Sequence, residues 1–573
     1  MNVYKQNNKT DIYKICKSSA LFIFLFIGPL ILFKPAHDYT SIKNIAGYVF
    51  CILLSTAFIL QKKRFRGERR TLVLLKAFFI WLICSSLIAP YGYGATRILE
   101  NYLLYLLIFI IALNIKIEKR DVYLWLFAGF IASVMALCNF MGSERYVLST
   151  FGNPNFFAGH MLMVFPLACA LFLSEDNKQG ERWILFAVAL LFFISILASR
   201  SRAAIFASLF GLSTLIFLRY KKSAIIKKYS GYTTLLILSA LFFPKFYYWL
   251  TTNIRWYIWS GTIKMIRVIP ISGWGLGNFP FFYPFYRIRE YFLQTEAAPI
   301  TTQVHNEYLH LWVETGLIGL IIFLALVLFI IFYSAKKKGE SRGFEDMCLS
   351  GCIAGLSAVL IDNIFSTNLR NPSTAMFFWF LLGVCAGYIG NKEEVNFSVS
   401  RYLWHTIAIT SFVLSLFTSF YRIIPDVYYK RGVWAKEKGD YQAAIVNYSN
   451  TCIINAYNYE VWYKLAYVYG RTGNTEKAET LYLLINNHLF PHYAKTDYNL
   501  GVIYKDKKEY EKALYYYKWA EWLNPYDTDI LCALASLNIV FLNDSDKAMD
   551  YINKVLTIDP KNEYANRIKG LLK

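Results

Sequence analysis

Stretches of about twenty mainly apolar residues, long enough to cross a bilayer as a helix, recur along most of this 573-residue chain. They lie near 20–33, 44–60, 71–89, 99–115, 121–141, 157–174, 182–198, 203–219, 231–249, 316–335, 347–366, 374–390 and 402–421. That makes about thirteen spans by the length criterion. In lipid each backbone N–H and C=O must be satisfied within its own segment or by closed pairing, so runs of this length fold as helices packed side by side. Composition agrees. Hydrophobic residues make up 56% and charged residues 17%, where a soluble domain carries about 25% charged residues. The aromatic share, 18%, suits membrane interfaces. The first run, Ala20 to Phe33, is followed by Lys34 and Pro35 rather than by a small-residue cleavage site, and reads as a retained span.

The net charge of +22 is placed where it orients a membrane protein, in short loops between apolar runs, and not as a nucleic-acid surface. With the basic N-terminus (Lys5, Lys9, Lys14, Lys17) inside, every second loop should be basic. The loops at 61–70, 116–120, 219–228 and 336–342 meet that test, with Arg64, Arg66, Lys116, Arg120, Lys221, Lys222, Lys336 and Arg342 among their residues. An error of one span would break the pattern partway. The same alternation places 90–97, 142–156, 199–202, 250–315 and 362–373 outside, together with the C-terminal tail. The loop at 250–315 is the longest between spans, and long connections are uncommon unless they carry function.

After Tyr421 the composition changes. Alanines recur at Ala444, Ala478, Ala513 and Ala548, at spacings of 34, 35 and 35, which is the tetratricopeptide (TPR) period. The third unit supplies Leu500, Gly501, Tyr504, Ala513, Tyr517, Ala520 and Pro525 at the small, large and breaker positions. Each helix pair buries its apolar stripe only against its neighbours. The expected fold is therefore all-α: a polytopic transmembrane helical bundle over 1–424, with its core at 70–390, followed by a TPR α-solenoid over 425–573. Of the ten cysteines, most lie in apolar runs and none forms a CxxC or Cys/His metal spacing. Cys452 and Cys532, in different repeats, leave a disulfide open.

Four polar clusters fall on segments expected outside. Gly152-Asn153-Pro154-Asn155 opens the sixth run and is as consistent with a turn and helix cap as with a site. Ser199-Arg200-Ser201-Arg202 joins two runs. One arginine there would snorkel, but two on the outer side run against the charge bias and suit a polar cavity. Arg255 and Trp259 precede Gly273-Trp274-Gly275-Leu276-Gly277-Asn278, and Tyr283, Arg287 and Arg289 follow. A Gly-x-Gly-x-Gly run lets backbone N–H groups approach an anion. His305-Asn306-Glu307-Tyr308-Leu309 leads through Glu314 and Gly316 into the tenth span. A lone histidine is usually structural, but a neutral imidazole at the mouth of a span can accept a proton from a hydroxyl.

The pieces GNPNFFA, SRSRAA, RWYIW with GWGLGNF, and HNEYLHLWVETGLIGL, in this order over roughly 70–390, resemble the O-antigen ligase family. That family also holds O-antigen polymerases and protein O-oligosaccharyltransferases. The resemblance implies a GT-C-like, metal-independent glycosyltransferase with no cofactor. Its donor would be a glycan on undecaprenyl pyrophosphate, at the outer face of the bacterial cytoplasmic membrane. By position, Arg202 and Arg255 match the family's motif arginines and His305 its loop histidine, and these are the catalytic candidates. Arg200, Asn306, Arg287, Arg289, Gly275, Gly277 and Asn155 are candidates for substrate binding. Ala203 stands where the family often has Gly.

The acceptor stays open among a lipid A core sugar (ligase), a further glycan repeat (polymerase) and a protein hydroxyl. The ligase reading comes first on the motif set. The repeats leave room for a protein partner. A transporter of lipid-linked oligosaccharide would need charged groups near span midpoints, whereas polar residues here gather at the outer rim.

Overall fold

The computed structural model describes residues 2–141, 149–220, 253–292, 300–339, 341–390 and 402–572. These residues are all-α, with no strand among them. Among the described residues, twelve helices are long and apolar enough to cross a membrane. Each coincides with one of the expected runs, while the run at 231–249 lies outside the described residues. The first of them, Asp11–Leu30, starts earlier than its apolar run and ends at Leu30 rather than Phe33. Ile31 already has an extended backbone.

The chain forms two compact units. The first comprises Met1–Leu250, Ile269–Gly277 and Val304–Ile423; the second comprises Thr251–Val268, Asn278–Gln303 and Ile424–Lys573. In the first unit, ion pairs bring the loops of one rim together. Lys17 meets Glu118 at 2.7 Å, Lys119 meets Glu181 at 3.1 Å, Lys116 meets Glu345 at 2.6 Å and Arg342 meets Glu175 at 2.8 Å. Charge alternation assigns the basic segments among these to a single side. At the other end of the helices, Arg97 pairs with Asp38 at 3.0 Å and the Thr150 hydroxyl donates to the Pro29 carbonyl at 2.6 Å.

The helix Pro154–Phe172 begins as its sequence dictates. Pro154 takes the first turn, and the Asn153 side chain accepts from the Asn155 N–H. The helix Glu307–Lys337 is broken at Gly316, whose backbone is non-helical (φ 71°, ψ 177°). The break frees the last carbonyls of the segment 307–315 and the first N–H groups of the span that follows. Other strands of chain take them up. Trp274 and Gly275 N–H groups donate to the carbonyls of Val313 and Glu314, at 2.8 and 2.9 Å. The Ser85 hydroxyl and the Trp81 indole donate to the carbonyls of Glu314 and Thr315. Leu317 N–H donates to the Pro270 carbonyl at 3.0 Å.

A Cβ at Gly316 would collide with the Ile271 carbonyl, and this backbone region is open essentially to glycine alone. Gly316→Ala is therefore expected to cost about 3 kcal/mol or more, strain and clash together. It should lower the unfolding temperature of the detergent-purified protein by several degrees. An unchanged transition would show that the break is not fixed by this residue.

In the second unit, residues from Ile424 onward form successive antiparallel helix pairs, Ile424–Glu437 with Tyr441–Ile454, Tyr459–Arg471 with Thr475–Leu484, Thr496–Asp506 with Tyr510–Leu523, and Thr528–Leu537 with Ser545–Ile558. Glu563–Leu572 follows. Asp440, Asn458, Asn474, Asp527 and Asp544 cap helix starts. The periodic Ala444, Ala478, Ala513 and Ala548 are fully buried. At Gly432 and Gly501 a side chain would strike the rings of Tyr448 and Tyr517, so the small and large positions of the repeat interlock. Cys452 and Cys532 are both free thiols.

Candidate functional site

In the first unit a continuous belt of polar contacts joins three of the motif segments, those around Asn155, around Gly275 and from Asn306 to Glu314. The Asn368 amide donates to the Asn155 carbonyl at 3.2 Å and to the Asp362 carboxylate at 2.6 Å, and Ser366 donates to the same carboxylate. The next residue, Asn363, accepts at its carbonyl from Glu307 N–H at 2.9 Å and at its side chain from Leu369 N–H. Glu307 and Glu314 both face Arg370. Its Nε lies 3.3 Å from Glu307 and its Nη1 donates to Glu314 at 2.7 Å. His310 Nε2 lies 3.3 Å from the other oxygen of Glu314. The carbonyl of Glu314 then binds Gly275. The segments around Asn155, Asn306, Glu314 and Gly275 are thus held together through the loop at 362–370.

The centre of this belt is buried. Side-chain exposure is 8% for Arg370, 2% for Glu307 and 1% for Glu314. Burial works against the Arg370 charge, but the carboxylates of Glu314 and Glu307 beside it more than offset this and raise its pKa. Glu307, His310 and Glu314 stand at positions i, i+3 and i+7 of one helix, so they share a face. Arg370 and Asp362 lie in none of the motifs, and Glu307 and Glu314, though inside one, are not among the catalytic or substrate-binding candidates. Their signal was present all the same: two carboxylates seven positions apart at the head of an apolar run require a cation.

The candidates singled out from sequence are placed as follows. His305 is half-buried, has a left-handed backbone (φ 58°) and directly precedes Asn306. Asn306 is the helix cap, its side chain accepting from Leu309 N–H at 3.0 Å. Arg202 opens the helix Arg202–Arg219 and is exposed. Arg200, also left-handed (φ 56°), lies over the Phe140 ring at 5.7 Å. In the Gly-x-Gly-x-Gly run, the N–H groups of Trp274, Gly275 and Leu276 turn to the carbonyls of Val313, Glu314 and Ser85 rather than outward to an anion. The glycines are needed because Gly275 (φ 93°) sits on Ala89 and Gly277 (φ 74°) on the Gly94 backbone.

In the second unit, Arg255 lies in the first turn of the helix Ile254–Val268 and is half-buried, its N–H donating to the Asn253 side chain. Arg287 lies over the rings of Tyr283 and Tyr291, at 6.0 and 5.5 Å. Burial lowers its pKa. Arg289 lies over the Tyr526 ring and donates to that tyrosine's hydroxyl.

Residues 187–324 match the family described as O-Antigen ligase, the family that the motifs resemble. Residues 459–484 and 528–562 match a tetratricopeptide repeat. An uncharacterized protein of Haemophilus influenzae is 27% identical over 138 residues, 23% of this chain and 32% of that relative. The match thus spans about a third of the relative's length. The crystal structure of the APC/C hetero-tetramer Cut9-Hcn1 is 12% identical, with 92% of this chain and 76% of that chain covered at a TM-score of 0.24. The ligase-family match covers Arg202, Arg255 and His305. It supports a membrane glycosyltransferase-like function for a multi-span protein that also carries TPR repeats.

Proposed function

We propose that this protein is an O-antigen ligase-like glycosyltransferase of the bacterial cytoplasmic membrane. It moves a glycan from undecaprenyl pyrophosphate to an acceptor hydroxyl at the extracytoplasmic face, where the N-terminus is cytoplasmic and the repeats are outside. The observation that carries this reading is the polar belt. Three motif segments, around Asn155, around Gly275 and from Asn306 to Glu314, are linked by polar contacts in the first unit, and the last two lie within the stretch that matches the ligase family.

The chemistry is a displacement at the anomeric carbon. The acceptor oxygen forms the new glycosidic bond as the bond to the phosphate oxygen breaks, and that electron pair leaves on the diphosphate. Arg202 and Arg255 are assigned to the growing charge, since a guanidinium offers two parallel donors to phosphate oxygens. Such donors act most strongly in a partly dry site. His305 takes the acceptor's proton. Asn306 caps the helix that follows His305, Asn155, Gly275 and Gly277 help to fix the belt of the first unit, and Arg200 stands next to Arg202 as a further cation for the donor. No step calls for a metal ion.

Arg202→Ala is expected to lower transfer by about 100-fold or more, the usual size of one lost electrostatic contact to the transition state. The measurement is donor consumption in membranes holding equal amounts of protein, and undiminished consumption would remove Arg202 from the site. The acceptor is read from a deletion strain. A ligase loss leaves long chains on the lipid carrier, a polymerase loss leaves single repeats, and a protein-transferase loss removes glycoproteins alone. The ligase outcome is expected.

A further inference from the structure

Within the second unit, part of the long loop lies along one edge of the repeats. Phe281 is buried, with its ring 4.4 Å from Phe490 and 6.0 Å from Tyr459. Phe285 lies 5.9 Å from His492 and 5.6 Å from Trp522. Arg289 lies over Tyr526 at 5.6 Å, and Phe292 is 6.3 Å from the same ring. The loop residues follow one another at intervals of three or four along two short helical stretches, Phe279–Tyr286 and Arg289–Phe292, separated by extended backbone at Arg287. Apart from Trp522, near the end of the helix Tyr510–Leu523, the residues that they meet lie at successive turns or helix starts of the repeats, taken in order. Tyr459 begins the second helix pair, Phe490 and His492 lie in the turn before the third, and Tyr526 lies in the turn before the fourth.

The turn after the fourth pair reads Asp559-Pro560-Lys561-Asn562 and has no ring. His492 is itself fixed, stacked on Trp519 at 4.4 Å and 2.9 Å from Asp497. The loop in turn supports the helix Ile254–Val268. A side chain on Gly261 would come within 2.8 Å of the Tyr286 carbonyl and 3.0 Å of the Tyr283 ring.

We propose that the repeat edge formed by Tyr459, Phe490, His492, Trp522 and Tyr526 is a docking surface whose ligand is the chain's own segment 279–292. The repeats thereby hold the helix that bears Arg255. On this basis Arg287 and Arg289 belong to the clamp and not to the substrate. A separate protein that engages this edge must first displace the loop.

Full-length protein in detergent tests it with a fluorescein-labelled peptide of residues 279–292. The unchanged protein should not bind the peptide, because its edge is occupied, whereas the double variant Phe281→Ala/Phe285→Ala should bind it. A peptide with the same two substitutions should bind neither. Equal binding of the native peptide to both proteins, or binding to neither, overturns the proposal.

A second variant leaves the loop intact. Tyr526→Ala should raise amide exchange in 279–292 and in Ile254–Val268 by about 10-fold or more, this being local opening and not global unfolding. Exchange in Tyr441–Ile454 should be unchanged. Unaltered exchange in 279–292 and Ile254–Val268 would also overturn the proposal.

Discussion

His305→Ala is expected to lower glycan transfer by about 100-fold or more, the range for loss of a positioned general base, with the amount of folded protein unchanged. The position itself makes the experiment clean. His305 has a left-handed backbone (φ 58°), a conformation that asparagine and histidine adopt more readily than most residues. His305→Asn therefore keeps the backbone and a polar side chain while removing the base. Both variants should lose transfer alike when lipid-linked donor is followed in membranes. If His305→Asn transferred at the full rate, another group would have to accept the proton.

Arg370→Ala is expected to be the most destabilising single change in the first unit. It leaves Glu307 and Glu314 buried without the cation that both of them face. Breaking a buried pair by removing one partner costs about 3–5 kcal/mol. The expected readout is a clear loss of folded protein in detergent and a lower unfolding temperature. Arg370→Lys should recover little, since a single ammonium does not reproduce a fork aimed at two carboxylates. The triple variant Arg370→Met/Glu307→Gln/Glu314→Gln should recover a substantial part, because the stranded charges are gone. Were Arg370→Ala as stable as the parent, the belt would not be what holds the motif segments together.

The sequence made the spans and repeats legible because each is imposed by a strong periodic constraint. Bilayer thickness sets the length of the apolar runs, and stacking of helix pairs sets the recurrence of Ala444, Ala478, Ala513 and Ala548. Ends were less legible. The first span starts at Asp11 and takes in polar residues such as Lys14, and helix ends depend on capping and tertiary contacts more than on hydropathy.

At the candidate site, the motif segments could be listed from sequence but not joined. The joining residues Asp362, Asn363, Asn368 and Arg370 sit in a short loop with no motif of its own. Glu307 and Glu314 called for a cation, but Arg255, Arg287 and Arg289 stood nearer in the chain, and only the fold selects Arg370. From sequence the glycine run suggests backbone N–H groups approaching an anion. Contact of Gly273, Gly275 and Gly277 with neighbouring backbone or Ala89, and the carbonyl partners of Trp274, Gly275 and Leu276, account for it by packing.

The central claim is that one imidazole in the polar rim of a helical bundle drives transfer of a lipid-carried glycan. It is tested most directly by extracting the undecaprenyl-linked glycan pool from the native host in three backgrounds: gene deleted, deleted and complemented with the unchanged gene, and deleted and complemented with His305→Asn. The pool should swell in the deletion, fall to its ordinary level with the unchanged gene and stay swollen with His305→Asn. A pool of the same size in all three would contradict the claim.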